Sequence, residues 1–188
     1  MHHQGSPMPY HCVFQTAFGY CGIVWSDRGV CHFLLPMVTP GAVRDDLTRR
    51  HPASDEREPS ALVEAIILST QRYFAGERED FSSIPIDLHA SPFQRAIYDA
   101  TRQLRYGETT TYGALADAAG FPKAARETGS ALGHNPIPLI VPCHRVLAAG
   151  GKLGGFSAPG GKTTKQKMLL LEGASPPNGP PGQGRLPF

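Results

Sequence analysis

Cys143 stands directly before His144 in the run Asn135-Pro136-Ile137-Pro138-Leu139-Ile140-Val141-Pro142-Cys143-His144-Arg145-Val146. A thiol becomes a strong nucleophile only as the thiolate, and an ordinary cysteine ionises at a pKa of roughly 8.5. An imidazole can take that proton near neutral pH, so the pair offers an activated sulfur. Side chains of consecutive residues diverge on a helix or strand. A turn or a bridging water must therefore bring the two groups into contact. Pro136, Pro138 and Pro142 fix φ and remove backbone donors, which excludes a regular helix here. Leu139-Ile140-Val141 is too apolar for a surface loop, so the spacing predicts a buried, extended lead-in that delivers Cys143 to one place. Taken alone, Cys143 reads as a buried structural thiol. The adjoining histidine and the prolines favour chemistry.

The elements that must position this pair follow from periodicity and punctuation. Tyr10 to Leu35 alternates short apolar runs with the turns Phe18-Gly19 and Ser26-Asp27-Arg28-Gly29, which predicts a three-stranded meander. Gly41 to Arg50 predicts a short helix with Val43 and Leu47 inward, and His51 to Pro59 a polar linker. Ser60 caps a longer helix to Phe74 whose expected inner face includes Leu62, Ile66 and Tyr73. Ile84 to Leu88 reads as an edge strand interrupted by Pro85. Ser91-Pro92 starts a helix with Phe93, Ile97, Ala100 and Leu104 on one face, and Gly107 stops it. Helices from Tyr112 to Ala119 and Lys123 to Leu132 flank a tight Gly120-Phe121-Pro122 turn and form a helix-turn-helix. The second helix would enter a DNA groove with Arg126 near its start, although an ordinary helix pair has the same spacing. Val146-Leu147 and Leu153 read as a small hairpin, a wing. Gly154 to Gly161 is a loop, and Thr163 to Leu171 a last helix with Met168, Leu169 and Leu171 apolar.

The 188 residues are 40% hydrophobic and 18% charged, enough for a packed α+β protein. No apolar run of membrane-spanning length and no secretory signal is visible, so a cytoplasmic protein with reduced thiols is expected. Residues 1–90 hold seven basic and eleven acidic residues, net −4. Residues 91–173 hold ten basic and five acidic, net +5. A basic second half suits a polyanionic partner. The expected division is a flexible start over 1–9, a scaffold domain over 10–90, a functional domain over 91–173 and a disordered Pro/Gly-rich tail over 174–188. No cofactor is expected. Cys12, Cys21, Cys31, His32 and His89 form the one set able to hold a structural zinc ion, without the CxxC spacing that would support it.

Pro142-Cys143-His144-Arg145-Val146, preceded by Asn135-Pro136, resembles the active-site signature of the O6-alkylguanine-DNA alkyltransferases. Tyr106-Gly107-Glu108 with Thr111-Tyr112-Gly113, Pro122-Lys123-Ala124-Ala125-Arg126, and Gly155-Phe156-Ser157 with Glu172-Gly173 match the same family. The resemblance covers about residues 10–173 and is densest from Ser91 to Gly173. It implies a ribonuclease H-like N-terminal domain and a winged-helix-like C-terminal domain. It also implies a monomer that repairs double-stranded DNA by moving the alkyl group of O6-alkylguanine, with O4-alkylthymine as a further candidate substrate, onto its own cysteine. By this resemblance Cys143 is the acceptor, His144 deprotonates it through a water, and Glu172 orients His144. Asn135 holds the bent backbone, and Tyr112 turns the nucleotide out and protonates the leaving base. Arg126 fills the gap in the duplex, with Gly113, Phe121 and Ala149 as further DNA contacts. Val146, Pro138, Phe156, Ser157 and Lys165 line the base pocket.

Each of these residues also has a plain reading: Tyr112 and Phe156 as core aromatics, Arg126 as a surface charge, Lys165 as a solvated one, and Glu172 as a helix-end carboxylate. Their joint fit to one pattern is what lifts them. The chain departs from the family at Phe156, where many relatives have tyrosine, at His134, where many bacterial relatives have arginine, and at Lys162-Thr163. Two other functions fit parts of the pattern. One is a non-catalytic winged-helix protein that binds lesions or regulates transcription. The other is a Cys-His hydrolase.

Overall fold

The structure is a computed structural model and describes residues 8–174. The flexible start and the tail expected from sequence therefore lie almost wholly outside the described residues. Ala174, placed in that tail by its composition, is 6% exposed and packs with Leu147 and Leu169. The chain forms two compact units. One comprises residues 8–89 together with Pro136–Ile140, and the other residues 90–135 and 141–174.

In the first unit β1 (Tyr10–Thr16), β2 (Gly19–Ser26) and β3 (Gly29–Met37) make the expected antiparallel meander, with Thr16 facing Gly19 and Ser26 facing Gly29 across two-residue turns. The polar linker contributes what its composition hides: β4 (Asp55–Glu56) pairs in parallel with β1 and completes the order β3-β2-β1-β4. Cys21 to Ser26 are all buried, without alternation, so the central strand is covered on both faces. Helix α1 (Pro40–Arg50) is capped by Thr39 and sets Val43 and Leu47 against Val24 and Leu34. Its close seat depends on Gly22, where a Cβ would come within 2.7 Å of Val43. Helix α2 (Ala61–Phe74), capped by Ser60, buries Val63, Ile66, Thr70, Tyr73 and Phe74. Leu62, expected inside, is 45% exposed: the buried stripe is rotated by one residue to stack Tyr73 against Phe74 and Phe81. The expected edge strand at Ile84 to Leu88 reduces to one parallel bridge between Val30 and Ile86.

The second unit begins at α3 (Pro92–Arg102). Ser91 accepts from the Gln94 N–H while the Gln94 side chain accepts from the Ser91 N–H, a reciprocal capping box. This helix ends at Arg102, before Gly107. Thr110–Thr111 form β5, and Thr111 caps α4 (Tyr112–Ala118). A turn closed by the Phe121 N–H on the Ala116 carbonyl leads to α5 (Ala125–Gly133). The Phe121 ring meets Phe93 of α3 edge-on at 4.9 Å, and the Tyr98 hydroxyl donates to the Ala131 carbonyl at 3.1 Å. After a 3-10 turn over Cys143–Arg145 comes β6 (Val146–Leu147), and α6 (Gly161–Leu171) closes the unit. The hairpin expected after Val146 is not formed. Strand β6 instead pairs in parallel with β5, and residues 149–151 make a 3-10 turn closed by the Gly151 N–H on the Ala148 carbonyl and flanked by the Ala148 N–H on the Lys152 carbonyl.

Candidate active site

The prolines bend the chain as their spacing requires. Pro142 precedes the 3-10 turn, whose N-terminus carries Cys143, and the Cys143 N–H donates back to the Val141 carbonyl at 2.7 Å. Asn135 spans this bend from the end of α5. Its side-chain amide donates to the Val141 carbonyl at 2.9 Å and to Cys143 Sγ at 3.3 Å. The thiol is 7% exposed. Burial pushes its pKa up; the Asn135 amide, the Lys165 charge and the backbone N–H groups of the turn pull it down.

His144 follows on the same turn and is wholly buried. Its Nε2 lies 2.7 Å from Glu172 Oε1 at the C-terminal cap of α6. The same carboxylate accepts from Arg145 Nε at 2.9 Å, from Arg145 Nη2 at 3.0 Å and from the Gly107 N–H at 3.0 Å. Burial raises the Glu172 pKa, and the hydrogen bonds and charges of His144 and Arg145 outweigh it, holding the carboxyl below the usual range. An ionised carboxylate only accepts, so His144 Nε2 carries a hydrogen and Nδ1 of the neutral ring carries the lone pair. Burial lowers the His144 pKa against the pull of Glu172. Neutral imidazole is therefore the resting form at neutral pH.

Lys165 overturns the solvated reading. It is fully buried on α6 and donates to the Val146 carbonyl at 2.6 Å. Its Nζ lies 5.8 Å from the Tyr112 ring centroid and 5.9 Å from that of Phe156. Burial lowers its pKa to about 8, opposed by the negative charge of a Cys143 thiolate. Tyr112, the first residue of α4, is half-buried, and its hydroxyl pKa is raised by burial and then by Cys143. A Cβ at Gly154 would stand 3.0 Å from that hydroxyl.

The second unit thus gathers Cys143, His144, Asn135, Glu172, Lys165, Tyr112, Phe156 and Val146. Arg126 near the start of α5, Phe121 in the helix-joining turn, Ala149 and Ser157 are exposed on the same unit, with Gly113 half-buried on α4. Pro138 is buried in the segment that packs with the first unit. Sequence reasoning assigned no part to Arg145 or Gly107, although both lie inside quoted motifs. Their only signal was adjacency, Arg145 beside His144 and Gly107 beside Tyr106. A Cβ at Gly107, φ +77°, would also press to 2.9 Å from the Glu172 backbone oxygen.

Cys12, Cys21 and Cys31 carry raised pKa values through burial, Cys12 up to about 12. Among the described residues no three His, Cys, Asp or Glu side chains are grouped to hold a metal ion, so the considered zinc set is not assembled. Among them, too, no helix is long and apolar enough to cross a membrane.

Residues 92–174 match the family described as 6-O-methylguanine DNA methyltransferase, DNA binding domain. The methylated-DNA–protein-cysteine methyltransferase of Mycobacterium bovis is 48% identical over 130 residues, covering 69% of this chain and 74% of that protein. The Haemophilus influenzae protein of the same name is 42% identical over 122 residues, 65% and 67% of the two chains. For the namesake from Mycolicibacterium paratuberculosis, 51% identical over 100 residues, the match spans 59% of that relative's length. Among solved structures, Mycobacterium tuberculosis OGT in complex with DNA superposes with a TM-score of 0.72 at 32% identity, over 87% of this chain and 92% of that one. The α+β fold is shared with it. The chain belongs to the methylated-DNA–protein-cysteine methyltransferase family.

Proposed function

We propose that this protein reverses alkylation damage in DNA directly, by a single irreversible transfer of the alkyl group of O6-alkylguanine to Cys143. The observation that carries this reading is the buried thiol held by Asn135 on one side and followed by a His144–Glu172 pair on the other. In-line displacement at an sp³ carbon requires a thiolate. His144 Nδ1 takes the thiol proton through a water, and Lys165 and Asn135 stabilise the sulfur anion. The S–C bond forms as the C–O6 bond breaks. The departing guanine takes a proton at its ring from the Tyr112 hydroxyl, which burial keeps protonated at neutral pH. The tyrosine is then reprotonated by way of His144. Overall the thiol proton ends on guanine and the alkyl group on sulfur, so no cofactor enters the balance. The thioether has no easy return path, and each molecule acts once.

An O6 atom inside a duplex is shielded from attack, so the nucleotide must turn out at a cost of about a few kcal/mol, less for a poorly paired lesion. We read the first unit as ribonuclease H-like and the second as winged-helix-like, with domain limits of 10–90 and 91–173. In this reading α5 meets the groove, Arg126 enters the stack, and Phe121, Gly113 and Ala149 contact the backbone. Val146, Phe156, Ser157, Pro138 and Lys165 receive the base. The exposed position of Arg126 at the start of a helix packed against α4 supports that assignment. The test is to incubate the protein with a duplex containing one O6-methylguanine and to map the modified peptide by mass. A gain of about 14 Da on the Cys143 peptide at one equivalent is expected, a methyl group added and the thiol hydrogen lost, which is about one CH2 in mass. An unmodified Cys143 after complete incubation would overturn the reading.

A further inference from the structure

Arg145 is buried beside the reacting pair, and the mechanism above gives it no task. Its guanidinium grips Glu172 with both arms, Nε to Oε2 at 2.9 Å and Nη2 to Oε1 at 3.0 Å, the forked geometry that only arginine supplies. Its remaining arm, Nη1, donates to the Leu104 carbonyl at 2.7 Å, while the Gly107 N–H donates to Glu172 Oε2. Both backbone groups belong to the connection between α3 and β5. The Glu172 carboxylate can thus rotate only by breaking bonds to two separate chain segments. Oε1, fixed in that way, is the atom His144 Nε2 meets. From this geometry we infer that Arg145 is a positioning residue for alkyl transfer: through Glu172 it locks His144 with Nδ1 as the basic nitrogen.

The charge works in the same direction as the geometry. An isolated carboxylate against a buried imidazole would draw a second proton onto the ring and store it as imidazolium. An imidazolium cannot accept the thiol proton. The guanidinium neutralises Glu172 in place, and its own positive charge further lowers the His144 pKa. Glu172 can then orient the ring without capturing a proton on it. The inference rests on the reading that His144 activates Cys143.

The experiment uses the full-length protein, an oligonucleotide duplex carrying O6-methylguanine, and ¹⁵N spectroscopy of the His144 ring. In the wild type the ring is neutral at neutral pH with hydrogen on Nε2. In Arg145→Met the ring becomes imidazolium, the single-turnover rate at neutral pH falls by about a hundredfold, as loss of a general base does, and the acid limb of the pH–rate profile moves up by about one unit. Arg145→Lys keeps the charge and loses the fork, so its limb stays in place while the rate falls by about tenfold. The paired variant Arg145→Met/Glu172→Gln leaves no lone buried carboxylate and reacts at the rate of Glu172→Gln alone. A role confined to holding the fold would lower the melting temperature and leave both limb and ring spectrum unchanged, and that result overturns the inference. So does a paired variant slower than Glu172→Gln by the full Arg145→Met factor. If the wild type alkylates nothing, the proposed function fails, while the ring spectra of wild type and Arg145→Lys still decide what Arg145 does to His144.

Discussion

The Lys165 ammonium, fully buried on α6, donates at 2.6 Å to the carbonyl of Val146, which follows Cys143 by three residues. A lone buried cation is costly unless a partner offsets it. Its first charge partner is the Cys143 thiolate, so the two groups favour each other's ionised forms. Lys165→Met keeps most of the stem volume and removes the charge. The midpoint for Cys143 alkylation by iodoacetamide is expected to rise by about one pH unit. An unmoved midpoint would separate Lys165 from thiolate formation. The sign for stability is also fixed. Below pH 8 the lysine is charged in both folded and unfolded chains, and the burial penalty is present in full. Between about 8 and the ordinary value of 10.5 the folded chain releases the proton that the unfolded chain keeps, so wild-type stability gains with rising pH. Denaturant titrations of Lys165→Met should lack that gain.

Glu172 gives the opposite dependence. Its folded-state pKa is depressed, so its contribution is complete above the unfolded value near 4.5 and is lost as pH falls through the lower folded value. Glu172→Gln leaves the Arg145 guanidinium buried without its anion, a change that costs about 3–5 kcal/mol. Urea unfolding at pH 7 should show that deficit, and the gap between variant and wild type should narrow on acidification below about pH 4. A gap that is constant with pH would mean the carboxylate is not the stabilising form.

Much of this site was legible because its residues are contiguous. Asn135 to Val146 carries the bend, the thiol and the imidazole in twelve letters, and the capping hydroxyls Ser60, Ser91 and Thr111 mark their helix starts correctly. What escaped was set by partners distant in sequence. Val146-Leu147 looked like half of a hairpin because the local pattern offers Leu153. Its actual partner, Thr110-Thr111, lies more than thirty residues upstream and shows no strand pattern of its own. Lys165 looked solvated because lysine usually is. Yet Lys165, Met168, Leu169 and Glu172 fall at i, i+3, i+4 and i+7, so the buried stripe of α6 was written in spacing and masked by residue type. The rotation of α2 that exposes Leu62 was decided by aromatic packing at Tyr73, Phe74 and Phe81, which periodicity alone does not resolve.

His32 of β3 and His51 at the end of α1 meet at a tilt, ring centroids 4.8 Å apart, and His32 Nε2 is buried without a hydrogen-bond partner among the described residues. Burial, then the charges of His51 and Arg50, lowers the His32 pKa to about 4. As pH falls from about 6.5 to 4, the unfolded chain takes a proton that the folded chain refuses, so the fold loses stability over that window. The loss attributable to His32 is on the order of 3 kcal/mol. His32→Leu should flatten the decline, as read from urea midpoints at pH 7, 6, 5 and 4. An unchanged decline would assign the acid sensitivity elsewhere.

A substitution at Arg126 can test extrusion of the base separately from the chemistry performed on it. Its side chain is exposed at the second position of α5, whereas Cys143, His144 and Glu172 are buried. If it occupies the gap left by the extruded nucleotide, its worth is confined to duplex substrates, where unstacking must be offset. Arg126→Ala should then lower the single-turnover rate on an O6-methylguanine duplex by about tenfold, equivalent to ~1.4 kcal/mol. Reaction with the free base O6-methylguanine involves no duplex and should keep its wild-type rate. The ratio of the two rates is the informative quantity, because misfolding or a damaged active site lowers both together. Equal losses on duplex and free base would show that Arg126 supports the site itself, and the assignment of α5 as the groove-facing helix would lose its main support.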